Sequence, residues 1–204
     1  MGNMRGVHVV AGIASAGLVA ASLMVGAPAS ARDVINGTGG DDHLQGTPFS
    51  DTIRSFGGND TDQALAGQDL VFGGSGFDLI ETSRGDDTIH GGTQADFLDG
   101  GLDDDTIYGG AGEDRIHGVT GSDVIFGGAL HELIFDGRGA DTIDAGPGND
   151  NLYLTDDGTP DTVTCGPGHD QVFGATTENT IAADCEEVHV PQAGMRGPAA
   201  ARAP

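Results

Sequence analysis

The fold is decided by a nine-residue pattern, seen most clearly in Gly73-Gly74-Ser75-Gly76-Phe77-Asp78-Leu79-Ile80-Glu81 and again in Gly109-Gly110-Ala111-Gly112-Glu113-Asp114-Arg115-Ile116-His117. Glycine occupies the first, second and fourth positions, aspartate the sixth and an aliphatic residue the eighth. The chain divides into thirteen consecutive nonapeptides in this phase over residues 37–153. A fixed short period predicts a repeat architecture, even in a chain rich in glycine and charge.

After Tyr153, two inserted residues, Leu154 and Thr155, shift the phase of the repeat. Two further copies then occupy residues 156–164 and 165–173. The eighth position is aliphatic in every copy except one, where it is Asp62. The sixth position carries a carboxylate in all fifteen copies: Asp42, Asp51, Asp60, Asp69, Asp78, Asp87, Asp96, Asp105, Asp114, Asp123, Glu132, Asp141, Asp150, Asp161 and Asp170. This regularity indicates a set of carboxylates at equivalent places in a repeated structure.

Each residue type has a physical reason to stand where it does. Glycine permits tight turns with positive φ and lets main-chain carbonyls approach one another. Aspartate supplies a hard oxygen ligand of the kind that Ca²⁺ takes in sets of six to eight. The last three residues of each copy predict a short strand whose middle side chain points inward.

The pattern resembles the haemolysin-type RTX calcium-binding repeat over about residues 37–173. The resemblance implies an all-β, right-handed parallel β-roll, a β-solenoid in which two nonapeptides form one turn. It also implies that Ca²⁺ ions lie between turns eighteen residues apart. The implied metal ligands are Asp42, Asp51, Asp60, Asp69, Asp78, Asp87, Asp96, Asp105, Asp114, Asp123, Asp141, Asp150, Asp161 and Asp170, with Glu132 in the column that starts at Asp42.

Some turns depart from the pattern. Glu132 has a longer side chain, and its copy lacks the fourth glycine. Phe49, Gln94 and Asp103 also replace that glycine. We therefore expect distorted or empty sites at these turns, and the insertion leaves the column positions of Asp161 and Asp170 open.

Charge and core size predict that folding depends on metal. The chain has 32 acidic and 8 basic residues, for a net charge of −24. Carboxylates stacked about 4.8 Å apart repel one another, and one aliphatic residue per nonapeptide makes a thin core. We therefore expect metal binding and folding to be coupled. The same charge argues against nucleic acid and anionic membranes as partners.

The termini predict an exported protein. Residues 1–31 have one early arginine, a short apolar run and an Ala-x-Ala ending, which are typical of a secretory signal peptide. A retained membrane anchor is the alternative, and the mature chain has no second apolar run. The predicted organisation continues with a leader at 32–36, the calcium-binding roll at 37–173, a cap at 174–190 and a disordered tail at 191–204.

Cys165 and Cys185 lie twenty residues apart, close to one turn of the predicted coil. In a secreted chain an even cysteine count favours a disulfide. The alternative is a zinc site completed by His169 and His189.

No catalytic constellation is predicted. His131-Glu132 lacks the second histidine of a metalloprotease helix, since Phe135 stands there, and Ser75 lacks a nucleophile-elbow context. The favoured function is a non-enzymatic, secreted structural or adhesive module that binds several Ca²⁺ ions and meets a cell surface or an extracellular polymer. A glycan or ice binder and, less favoured, a calcium-dependent hydrolase are the alternatives.

Two rows of outward side chains bear on that choice. A rank of threonines follows the seventh position of alternate copies: Thr52, Thr88, Thr106, Thr142 and Thr162, interrupted by Leu70 and Val124. This rank could form a ligand face, although threonine is also a good strand residue. Phe135, Tyr153 and Phe173 predict an aromatic ladder, either stacked rung to rung or exposed for association.

Overall fold

The computed structural model describes residues 7–9 and 32–190. The predicted signal peptide lies outside the described residues except for Val7–Val9, and the predicted tail at 191–204 lies outside them entirely. The described part contains no helix long and apolar enough to cross a membrane. Its strands are β1 (Val7–Val9), β2 (Val34–Asn36), β3 (His43–Gln45), β4 (Thr52–Gly57), β5 (Thr61–Gln63), β6 (Leu70–Ser75), β7 (Leu79–Arg84), β8 (Thr88–Thr93), β9 (Phe97–Leu102), β10 (Thr106–Ala111), β11 (Arg115–Thr120), β12 (Val124–Ala129), β13 (Leu133–Arg138), β14 (Thr142–Asp144), β15 (Asn151–Tyr153), β16 (Thr162–Thr164), β17 (Gln171–Phe173), β18 (Thr180–Ile181) and β19 (Glu187–His189).

Successive strands alternate between two parallel sheets. One sheet has ten strands, in the order β1-β2-β4-β6-β8-β10-β12-β14-β16-β18, and the other has nine, in the order β19-β17-β15-β13-β11-β9-β7-β5-β3. Ile107 is in register with Ile89 on one side and Ile125 on the other, a step of one turn in each direction. The predicted all-β parallel β-solenoid is therefore confirmed, with about nine stacked turns.

The core is a double ladder of the eighth-position side chains. Each strand from β2 to β17 buries its second residue and leaves the residues on either side of it half-buried or exposed, as the period of two requires. One ladder runs through Ile89, Ile107 and Ile125, and the other through Leu98 and Ile116, all fully buried.

Asp62 interrupts the second ladder, between Leu44 and Ile80 in the neighbouring strands. Its side chain is fully buried, and the hydroxyl of Ser55 donates a hydrogen bond to Oδ2. Oδ1 is buried without a hydrogen-bond partner. Desolvation raises the pKa of Asp62 to about 7. The one break in the eighth-position pattern is thus a buried polar pair within the core.

The insertion after Tyr153 lengthens one turn without breaking the stack. Thr142 pairs with Thr162 and Asn151 with Gln171, so the step changes from eighteen to twenty residues and then the register continues. The extra residues enter the loop before β16. Beyond the fifteenth copy, β18 and β19 add one more strand to each sheet.

Cys165 and Cys185 form a disulfide with a Cα–Cα distance of 5.2 Å. The predicted bond is therefore confirmed, and the zinc alternative loses its two thiolates. The bond joins the last repeat to the segment between β18 and β19. The boundaries proposed for the roll and the cap stay predictions.

The predicted ladder of Phe135, Tyr153 and Phe173 is confirmed as rung-to-rung stacking. Ring centroids lie 5.0 and 4.9 Å apart, and the stack continues to His189 at 4.7 Å. The other sheet carries a second ladder that the sequence reasoning missed: Phe72, His90, Tyr108 and Phe126, with interplanar angles of 4–5°. The missed signal is a ring at the ninth position of alternate copies.

Candidate metal centres

In nine of the fifteen copies, the turn that leads to the sixth-position carboxylate has a left-handed backbone at both its second and its fourth position. At the fourth position, Gly76 has φ +129°, and an added Cβ would lie 1.7 Å from the carbonyl oxygen of Gly58. Gln94, Asp103 and Leu130 keep the same left-handed φ, at 75°, 79° and 97°. The distortion expected where the fourth glycine is missing is therefore not seen in the backbone at these three residues, which adopt the strained conformation instead.

The sixth-position aspartates are tied together along each column by one carboxylate oxygen. The backbone N–H of Asp60 donates to Asp78 Oδ1 at 2.9 Å, and that of Asp78 donates to Asp96 Oδ1 at 2.8 Å. The same bond joins successive members of each column from Asp42 to Asp170, except that the N–H of Asp114 makes no such bond to Glu132. It fixes the orientation of the accepting carboxylate relative to the neighbouring turn.

The second oxygen of these carboxylates is buried and has no hydrogen-bond partner. This holds for Oδ2 of Asp60, Asp69, Asp78, Asp87, Asp96, Asp105, Asp114, Asp123, Asp141, Asp150 and Asp170. Buried polar groups in native proteins nearly always have a partner. A continuous series of such oxygens indicates that a ligand absent from the polypeptide itself completes the structure.

Main-chain carbonyls of the next turn approach the same oxygens. A Cβ added at Gly73 would lie 2.5 Å from Asp78 Oδ2 and 2.6 Å from the carbonyl oxygen of Gly91. At Gly91 the equivalent distances are 2.7 Å to Asp96 Oδ2 and 2.6 Å to the carbonyl oxygen of Gly109. The donor set is therefore carboxylate and carbonyl oxygen from adjacent turns, which fits Ca²⁺.

The structure aligns every predicted ligand in one of two columns. The insertion does not break them, since Asp141 N–H donates to Asp161 Oδ1 at 3.1 Å and Asp150 N–H to Asp170 Oδ1 at 2.9 Å. Asp42 is half-buried at the N-terminal end of its column, and the remaining predicted ligands are buried. Metal binding by these residues stays a prediction.

Two acidic residues outside the predicted set extend the columns. Asp33 N–H donates to Asp51 Oδ1 at 2.9 Å, and Asp170 N–H donates to Glu186 Oε2 at 2.9 Å. Asp33-Val34-Ile35-Asn36 already shows the last four positions of the nonapeptide, which is the signal that could have identified Asp33. Glu186 lies sixteen residues after Asp170, a spacing that the period does not predict.

Burial makes the negative form of these carboxylates unfavourable when no cation is present. Desolvation, partly offset by the backbone hydrogen bond, raises the pKa of Asp96 and of Asp105 to about 8. The same causes raise the pKa of Asp69 and of Asp141 to about 7. Repulsion between neighbouring aspartates along each column adds to the shift. These carboxylates need either protons or cations.

Glu132 is the irregular member of its column. Its backbone N–H donates to Asp150 Oδ1 at 2.9 Å, but both of its own carboxylate oxygens are buried without partners. Desolvation first, and then the contact with Asp150, raises the pKa of Glu132 to about 9. His131 is exposed and lies 3.1 Å from the Asn149 amide. His131 therefore belongs to the exposed turn, and Glu132 belongs to the carboxylate column.

The repeats match the family model of the RTX calcium-binding nonapeptide repeat at residues 33–61, 63–98, 72–107, 90–125 and 126–158. These matches cover more than half of the chain. The chain belongs to the RTX calcium-binding nonapeptide repeat family. Calcium-binding repeats of this RTX family are a structural module, and the buried aspartate columns fit that role. No curated protein matches the chain.

Proposed function

We propose that this RTX chain is a secreted protein that binds several Ca²⁺ ions between adjacent turns, folds on them and serves as a structural or adhesive extracellular module. The observation that carries the proposal is the pair of columns of buried carboxylate oxygens without hydrogen-bond partners. Calcium, when bound, would supply the positive charge and the oxygen coordination that these columns lack.

The columns contain no basic residue to neutralise them. Among residues 32–190, the ion pairs within 4.0 Å involve His117, His131, His169 and His189, each with an acid outside the columns. Two unit charges a few ångströms apart repel by about 1 kcal/mol in water and by several in a less polar medium. Divalent cations from solution are the natural counter-charge.

The sequence pattern of residues 1–31 and the disulfide support secretion. A disulfide between Cys165 and Cys185 persists in an oxidising compartment. Extracellular calcium modules bind at about 10⁻⁴–10⁻³ M. A chain with this affinity would stay unfolded where calcium is scarce and fold after export.

Exposed apolar side chains support an adhesive role with a cell surface or an extracellular polymer. Phe56, near the end of β4, and Phe77 and Leu130, which lie between strands, are 55%, 58% and 55% exposed. Exposed apolar groups of this size mark interaction surfaces when they cluster. Because the turns hold their shape through the columns, calcium would control how this surface is presented.

A glycan or ice binder is the second candidate, and the threonine rank favours it. Thr88 pairs directly with Thr106, Thr142 with Thr162, and Thr162 in turn with Thr180, all on one sheet. Leu70 and Val124 interrupt the rank. The substitutions Thr88→Lys and Thr106→Lys would abolish such binding without lowering the folded fraction, whereas a calcium module would be unaffected.

Flow dialysis of the purified protein with labelled calcium tests the primary proposal. In excess magnesium we expect several calcium ions per chain, together with calcium-dependent association with cells or an extracellular polymer. Absence of calcium binding would contradict the proposal. Calcium binding with no association in any condition would leave a structural role and remove the adhesive one.

A further inference from the structure

One turn carries a buried acidic side chain where the nonapeptide has glycine. Asp136 occupies the first position of its copy, five residues before Asp141. Its side chain is fully buried. At other copies the first position lies against the free oxygen of the sixth, since a Cβ at Gly118 would lie 2.5 Å from Asp123 Oδ2. An aspartate at this place therefore brings a second carboxylate to the metal column.

The two-residue insertion helps to hold Asp136 in position. The backbone N–H of Thr155, an inserted residue, donates to Asp136 Oδ1 at 2.9 Å. The N–H of Gly137 donates to the same oxygen at 2.5 Å. These bonds orient the carboxylate from both the same turn and the following turn. The insertion and the acidic substitution thus form one local arrangement.

Three carboxylates meet at this place. Asp136, Asp141 and Asp161 each offer an oxygen, and the three oxygens lie within 4.8 Å of one another. All three side chains are buried, and Asp141 is 1% exposed with Oδ2 unpartnered. In the described part of the chain, no basic group lies within ion-pair distance of any of them. The unpartnered Asp141 oxygen is the independent sign that this cluster takes a ligand.

The C-terminal side of the cluster is braced. The amide of Asn179 donates to Asp161 Oδ2, and Thr180 N–H donates to the Asp161 carbonyl at 2.7 Å. The disulfide from Cys165 to Cys185 closes the segment that contains both residues. A braced site loses less conformational freedom when it binds an ion.

We infer that Asp136, Asp141 and Asp161 form a three-carboxylate divalent-cation site that binds Ca²⁺ more tightly than the two-aspartate turns and fills first. The inference rests on the proposed function and assigns one site a distinct affinity. Affinity for Ca²⁺ rises with the number of charged ligands and with the rigidity of the site; this site has one carboxylate more than a two-aspartate turn and is braced on two sides. The ion bound at this site would order the C-terminal turns before the rest of the solenoid.

Calcium isotherms of the purified protein and three variants test the inference. Asp136→Asn keeps an oxygen acceptor for Thr155 but removes the charge, and Asp136→Gly restores the residue that the repeat prefers. Thr82→Gly is the matched control, because it removes a buried first-position side chain that carries no carboxylate. Far-UV circular dichroism at saturating calcium verifies that each variant folds.

We expect one tight ion in the unaltered protein and in Thr82→Gly, and its binding weakened by about tenfold or more in both Asp136 variants. The weaker class of ions would be unchanged. Retention of the tight ion in both Asp136 variants would overturn the inference, as would an isotherm of the unaltered protein with a single class of several equal ions. Those results would leave the proposed function standing. If neither the unaltered protein nor any of the three variants bound calcium, the inference and the proposed function would both be removed.

Discussion

The carboxylate of Asp96 accepts a hydrogen bond from the backbone N–H of Asp78, at 2.8 Å, through one oxygen only. The other oxygen, Oδ2, is buried and unpartnered. The first bond sets the register between adjacent turns, and the second oxygen is free to bind an ion. One residue therefore links the stacking of the solenoid to its metal chemistry.

The substitution Asp96→Asn separates these two roles. Asparagine keeps the acceptor for Asp78 but removes the charge, so we expect one fewer bound ion and a several-fold higher calcium midpoint for folding. Titration by circular dichroism, together with ion counting, measures both. Glu113→Gln is the control, because Glu113 is exposed and outside the columns. An Asp96→Asn variant that matches Glu113→Gln in midpoint and stoichiometry would contradict the assignment.

Gln94→Gly should stabilise the protein. Gln94 has φ 75° at a position where most copies have glycine, and relieving this strain is worth about 1 kcal/mol. The measurement is urea unfolding at saturating calcium. Ala111→Gly provides the comparison, since Ala111 lies in β10 outside the left-handed region and glycine there should destabilise. Equal effects of the two substitutions would argue against strain at Gln94.

Calcium-free protein should gain β structure as the pH falls. The pKa values of Asp96 and Asp105 are raised to about 8 in the fold, compared with about 3.9 in an unfolded chain. The fold therefore binds more protons than the unfolded chain, so its stability is greatest below about pH 4, falls as the pH rises, and is lost once the pH passes about 8. Circular dichroism of metal-stripped protein between about pH 8 and pH 5 measures this.

Calcium binding should show the opposite dependence, because protons compete for the same oxygens. The calcium concentration at half-saturation should rise as the pH is lowered from about 8 to 6. A metal-free chain that gains β structure with rising pH, or a calcium midpoint independent of pH, would disagree with the buried columns.

Asp62 offers a test in the core that does not involve the columns directly. The double substitution Ser55→Ala and Asp62→Leu should continue the ladder from Leu44 to Ile80 and remove a buried carboxylate. We expect a gain of about 1–3 kcal/mol at about pH 8 and a smaller gain at about pH 5, where Asp62 is protonated in the fold. Asp62→Leu alone should gain less, because the Ser55 hydroxyl loses its acceptor.

Most of the architecture can be predicted from the period of nine. The inward aliphatic residue and the sixth-position aspartate recur at fixed steps, so the core ladder and both columns follow directly. Asp161 and Asp170 could not be placed, because an insertion either breaks a stack or bulges from it, and only the backbone pairing shows that it bulges.

What the sequence reasoning missed lies where the pattern is weakest. Asp33 precedes the first full copy, and Glu186 lies in a cap whose spacing is not eighteen. Asp136 occupies a position that favours glycine, so its meeting with Asp161 across an insertion depends on three-dimensional register. Such contacts are set by the fold and leave no periodic signal.

Calcium binding and folding are proposed to be coupled, and far-UV circular dichroism during a calcium titration is the sharpest test of that coupling. Magnesium serves as the control, because it demands a smaller octahedral site and gives up its water reluctantly. We expect a cooperative transition from coil to β structure near millimolar calcium, on the order of 10⁻⁴–10⁻³ M, and none with magnesium. A spectrum already rich in β structure without metal at neutral pH, and unchanged by calcium, would contradict it.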